Sequence, residues 1–134
     1  MKYLNAIIFV IITALTLSNC DFEDGNSSLT QQEELNELIA HKSYIKSLIT
    51  NTSCSENGQC GFVGLGHKPC GGHWEYLIYS SNIDTKLLLE QVAIYNLKEE
   101  AYNRKWNVVS DCAYVMPPFR VDCINNKCVA VYSN

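Results

Sequence analysis

His67, Cys70 and His73 follow one another at three-residue intervals, two imidazoles around one thiol. Those are zinc-ligand types at close spacing, but a zinc site needs the thiolate. Seven cysteines in 134 residues point to an oxidising compartment, where Cys70 is expected in a disulfide. Two histidines alone make a weak site, and no second cluster of histidine and cysteine completes it, so no metal or cofactor is expected. A Cys–His nucleophilic pair needs a free thiol as well. Setting Cys20 aside leaves Cys54, Cys60, Cys70, Cys112, Cys123 and Cys128, an even set that suits full pairing. Ser80, His73 and Asp111 supply the types of a serine triad, yet no G-x-S-x-G elbow supports them. Gly58, Gly61, Gly64 and Gly66 do not follow a strand and open a helix, as a phosphate-cradling loop must. Glu99 and Glu100, with Lys98 and Lys105 nearby, read as a solvated helix face.

What is left for recognition is a pair of loops. One runs from His67 through Lys68 to Trp74, the other through Met116, Pro117, Pro118, Phe119 and Arg120. Both join rigid proline or glycine backbone to aromatic and cationic side chains. Loops held rigid by disulfides lose little entropy on binding, and Trp and Arg are frequent hot spots. The expected function is a non-enzymatic binding module with a protein partner. The alternatives are a small hydrolase or metal-binding enzyme and a protease-inhibitor-like module.

The elements that must position these loops are legible from periodicity. Thr30-Gln31-Gln32-Glu33 has the form of a capping box and predicts a helix to about Thr50. Leu35, Leu38, Ile39, Ile45, Leu48 and Ile49 recur on one face. Residues 53–73 are rich in glycine and hold three cysteines, so they read as loop, with a short strand at Phe62, Val63 and Leu65. Trp74 to Tyr79 is a strand candidate dense in aromatic and branched residues. Residues 81–84 offer N-caps for a long helix to about Trp106. Its apolar face carries Leu88, Val92, Tyr95, Tyr102 and Trp106, widened by Leu87, Ile94, Leu97 and Ala101. Three more strands are expected, at 108–115, 119–124 and 127–132. Asn125-Asn126 should turn the last two as a two-residue type I′ hairpin. The fold class is α+β, two helices packed on a small antiparallel sheet and stapled by disulfides. In that hairpin Cys123 and Cys128 stand opposite each other, close enough for a bridge. Alternatively both reach elsewhere, for instance to Cys54 and Cys60. Six cysteines allow fifteen connectivities.

The chain begins with a separate object. Lys2 precedes a run from Leu4 to Leu17 that is almost wholly apolar. At roughly 21 Å as a helix it is too short to span a bilayer core and fits the apolar region of a signal peptide. With that leader goes Lys2, which leaves nine basic and fourteen acidic residues, a net charge of −5. An acidic chain lacks the basic surface that nucleic acid requires. The expected organisation is an apolar leader, a polar acidic tether that ends at residue 29, and one α+β domain over 30–134.

Leu17-Ser18-Asn19-Cys20 resembles a bacterial lipobox of the Bacteroidetes type. The resemblance implies that Cys20 carries a diacylglyceryl thioether and becomes the new amino terminus, with a signal peptide over 1–19 and an anchored cysteine and acidic tether over 20–29. It makes the membrane a partner through a lipid anchor. The acids Asp21, Glu23 and Asp24 that follow resemble the signal sending such lipoproteins to the outer membrane and the cell surface. From Cys54 to Cys128 the chain also resembles small cysteine-rich exported proteins of unknown function. The shared elements include Lys68-Pro69-Cys70-Gly71-Gly72, Trp74-x-Tyr76-Leu77-x-Tyr79-Ser80 and Ser110-Asp111-Cys112. That resemblance implies a fold and no activity.

Overall fold

A computed structural model describes residues 29–133. Helix α1 spans Gln31–Leu48 and helix α2 spans Thr85–Lys105. Strands β1 (Cys60–Leu65), β2 (Glu75–Ser80), β3 (Arg120–Ile124) and β4 (Lys127–Val131) complete the described elements. The fold is α+β. The strands form two antiparallel hairpins, β1 with β2 and β3 with β4, instead of one sheet.

Each helix starts where its side chains can satisfy free amides. The Thr30 hydroxyl accepts from the Glu33 N–H at 3.3 Å, and the Glu33 carboxylate accepts from the Thr30 N–H at 2.8 Å. At the head of α2 the Asp84 carboxylate accepts from the Leu87 N–H at 3.0 Å. The same helix ends on Asn107, which takes a left-handed φ of 50°, while the Val108 N–H donates back to the Asn103 carbonyl at 3.0 Å. That is a Schellman ending with Asn in the place glycine usually holds.

The core lies between the helices and the first hairpin. Leu38 and Ile45 of α1 meet Leu88, Val92, Tyr95 and Tyr102 of α2 over Leu65 and Leu77. Burial raises the Tyr95 phenol well above its ordinary pKa, aided by the Glu99 carboxylate that its hydroxyl donates to at 2.9 Å. Lys42 and Lys46 of α1 clamp Glu75 of β2 at 2.8 and 2.9 Å. Burial opposes ionisation of Glu75, but the two lysine hydrogen bonds outweigh it and hold the carboxyl below its usual range. Glu34 ties the helix ends together, accepting from Lys105 and from the Trp106 indole N–H at 2.7 Å.

Several expectations need correction. Ile39, Ile94 and Leu97 face solvent, and Ala101 is exposed too. With one hairpin and one partner helix to pack on, each helix buries a narrow stripe only, and residues flanking it fall outside. The segment 108–115 is not a strand. Its alternation has no partner to pair with, and Cys112 breaks the extended path with a φ of 53°. The remaining strands lie within a residue or two of their expected positions, and Asn125 and Asn126 take φ of 52° and 59°, the type I′ conformation.

The described cysteines are all paired: Cys54–Cys123, Cys60–Cys128 and Cys70–Cys112. Cys123 and Cys128 are register partners, yet Cys123 bonds outward to the loop before the first hairpin and Cys128 to the first residue of β1. Of the two arrangements the sequence left open, the structure has the one that joins the hairpins.

Candidate functional site

The first candidate loop is built around one cation that reaches the segment leading into the second. Lys68 is 4% exposed. Its Nζ donates to the Ala113 carbonyl, lies 3.5 Å from Asp111 and sits 4.8 Å from the centre of the Trp74 ring. A buried ammonium needs such partners, because desolvation without them is costly. Asp111 in turn accepts the Ala113 N–H at 3.1 Å. That bond, and after it the charge of Lys68, lowers the Asp111 pKa. Lys68 therefore joins the 67–74 loop to the 107–119 segment, and the Cys70–Cys112 bridge joins them a second time. Its charge is spent inside the protein, and the exposed groups around it do the presenting.

Helix α2 supports this arrangement with a polar stripe. Asn96 accepts from the Gly66 N–H at 2.7 Å and donates to the Gly64 carbonyl at 3.1 Å. Glu99 accepts from the His67 N–H at 2.5 Å, and Asn103 donates to the His67 carbonyl at 2.6 Å. Glu99 is thus a loop anchor, which corrects its reading as part of a solvated face. Gly66 is required where the loop meets the helix. It has a φ of 87°, and a Cβ there would lie 2.7 Å from the Glu99 carboxylate and against the Trp74 ring. The signal for this stripe is in the sequence: polar residues at i, i+3 and i+7, beside an apolar row.

The groups read as chemistry are committed elsewhere. The His73 ring bonds the Gly66 carbonyl through Nδ1 at 2.7 Å. Ser80 is fully buried, and its hydroxyl donates to the Ser53 carbonyl at 2.7 Å. With Asp111 held to Lys68, the three triad types are not brought together. Cys70 is in its bridge, so the His67-Cys70-His73 set offers no thiolate. His67 is half-buried, and its Nδ1 has no hydrogen-bond partner among the described residues.

What faces outward is apolar. Trp74 is 37% exposed, Met116 53%, Phe119 68%, Tyr114 76% and Val109 87%. Pro117 is half-buried and Pro118 buried, which fixes the backbone between Met116 and Phe119. Arg120 lies over the Phe119 ring at 5.9 Å while its Nε donates to Asp122. Tyr114 and Val109 lay outside the expected surface, because the segment containing them reads as a strand. Clefts flank the helices. One, of about 270 Å³, lies between Leu29, Glu34 and Leu38 on one side and Lys98 and Tyr102 on the other. The second, of about 530 Å³, runs along His67, Pro69, Asn103, Asn107 and Val109. Its charged pair, Glu100 and Arg104, is satisfied internally at 3.3 Å. No helix among the described residues is long and apolar enough to cross a membrane. The expected signal peptide, Cys20 and the acids of the tether lie outside the described residues. Neither the protein-family models, nor the curated proteins, nor the solved structures give a match to this chain.

Proposed function

We propose that this chain is a cell-envelope lipoprotein, anchored through Cys20 at the outer membrane or cell surface, and that its folded domain is a binding module for another protein. The observation that carries the reading is the cysteine pairing. Six cysteines close on one another within the domain, so the seventh, Cys20, stands apart directly after an apolar leader-like run. A cysteine in that place has a use as an acyl acceptor, and more than one acyl chain gives stable membrane attachment. The binding role is supported by the segment 107–119. It turns aromatic and aliphatic side chains to solvent on a backbone fixed by a bridge, a buried lysine and two prolines. A non-enzymatic role fits His73, Ser80 and Asp111, which serve structural bonds.

Metabolic labelling with a radioactive fatty acid tests the anchor. The full chain should incorporate label, Cys20→Ala should not, and globomycin should leave a longer precursor. Labelled Cys20→Ala protein, or a mature amino terminus elsewhere, overturns the reading. For the module, Tyr114→Ala combined with Phe119→Ala should abolish cross-linking to an envelope partner while leaving the fold intact.

A further inference from the structure

Two of the three bridges lie side by side. The sulfurs of Cys54, Cys60 and Cys128 are all within 4.8 Å of one another, and Cys123 is bonded to Cys54. The Cys123 sulfur lies outside that group of three but one bond from it, so four sulfurs sit close together between the hairpins. Cys54 and Cys128 are buried, and Cys60 and Cys123 are half-buried, so water reaches the group only partly. In a tetrahedral thiolate site with Zn–S bonds near 2.3 Å, neighbouring sulfurs lie about 3.8 Å apart. Opening both bridges lets bonded sulfurs separate to that distance and frees the Cys123 sulfur to swing towards those of Cys60 and Cys128.

The backbones around these sulfurs are also tied by bonds that do not involve sulfur. The Cys54 N–H donates to the Asn126 carbonyl at 3.2 Å, and the Cys128 N–H to the Thr52 carbonyl at 2.8 Å. The Cys123 N–H donates to the Asn57 side chain at 2.9 Å. Cys60 pairs with Ser80 in the first hairpin, and Ser80 reaches across to the Ser53 carbonyl. Cys123 and Cys128 are cross-strand partners, so their side chains leave the same face of their hairpin. These bonds give the opened hairpin a docking arrangement into which a bound metal draws the four ligands back together.

We propose that reduction of the Cys54–Cys123 and Cys60–Cys128 bridges creates a four-thiolate site for a soft divalent cation, zinc above all, and that the metal then holds the hairpins together in place of the bridges. Each bridge takes two electrons and two protons from a dithiol, of the thioredoxin type or a small molecule, which leaves as its own disulfide. The four thiols release four protons as they bind the dication, and the site carries a net charge of −2. A set made only of thiolates with tetrahedral freedom selects zinc over the hard cations. The Cys70–Cys112 pair takes no part. The proposal is independent of the lipid anchor and of the binding role.

The test is an anaerobic cobalt titration of the full chain, reduced with a phosphine that does not compete for metal. Cobalt should bind at one per chain with the visible absorption of a tetrahedral thiolate complex, and zinc should displace it. Cys70→Ala combined with Cys112→Ala should leave the spectrum unchanged, whereas Cys60→Ser combined with Cys128→Ser should abolish it. Amide exchange in β3 and β4 should slow when zinc is added to the reduced chain. A reduced chain that gives no tetrahedral spectrum, folded or unfolded, overturns the proposal. So does a spectrum lost with Cys70 and Cys112, or two cobalt ions per chain.

Discussion

The helical half and the bridged half of this domain are held by different forces. Between α1, α2 and the first hairpin lie eight buried apolar side chains, from Leu38 to Tyr102. The second hairpin and the segment before it bury little that is apolar beyond Cys128 and Pro118. A lone two-stranded hairpin is marginal in water. This one is attached by two bridges and by main-chain bonds at Cys54 and Cys128, and the preceding segment by a third bridge. The difference teaches what the bridges make possible. In the helical half, apolar residues must face inward to hold the fold. In the bridged half, covalent bonds hold it, and Val109, Tyr114 and Phe119 are free to face solvent.

The largest effect expected from a single substitution is in the helical half. Leu88→Ala or Ile45→Ala removes a fully buried side chain and should cost about 2–5 kcal/mol in urea unfolding, with both halves lost together. Replacing Cys60 and Cys128 together by alanine should cost about 2–4 kcal/mol, with the loss of amide protection concentrated in β3 and β4. If the loss were spread evenly over α1 and α2, the bridge would be supporting the core and the contrast would fail.

Acid should act mainly through the ties at the periphery of the core. Glu33 is lowered by its bond from the Thr30 backbone, Glu34 by Lys105 and Trp106, Glu75 by its lysine pair, and Asp111 by Ala113 and Lys68. In each case the folded carboxyl binds its proton at lower pH than the unfolded one. Their contribution is complete above the ordinary carboxylate range, near pH 4, and is lost as pH falls through the lowered values. Thermal melting should therefore weaken below about pH 4 with the bridges intact. Thr30→Ala, which removes one cap, should cost about 1 kcal/mol. The smallest effect belongs to the bridged half: Phe119→Ala should change stability by less than about 0.5 kcal/mol. A larger loss would mean that Phe119 packs, and would remove it from the proposed binding surface.

Local rules made the helices and the last turn legible. The Thr30 box, the Asp84 cap and the Asn125-Asn126 turn each depend on residues within three positions of one another. Non-local geometry was not legible. Residues 108–115 alternate as a strand does, and only the want of a partner and the left-handed Cys112 decide against one. The choice between a Cys123–Cys128 bridge and two outward bridges depends on how the hairpins dock, which no spacing encodes. Lys68 looked like a surface charge because nothing local reveals that Asp111, Ala113 and Trp74 close over it. The polar stripe of Asn96, Glu99 and Asn103 was visible as a pattern, but its target was a loop thirty or more residues away.

The division of the domain is tested most directly by amide exchange followed by mass spectrometry on the full chain, oxidised and then reduced with metal chelated. Reduction should strip protection from β3, β4 and the 107–119 segment while α1, α2, β1 and β2 keep theirs. A uniform collapse of protection across both halves would contradict it, and so would a reduced chain whose second hairpin stays as protected as before.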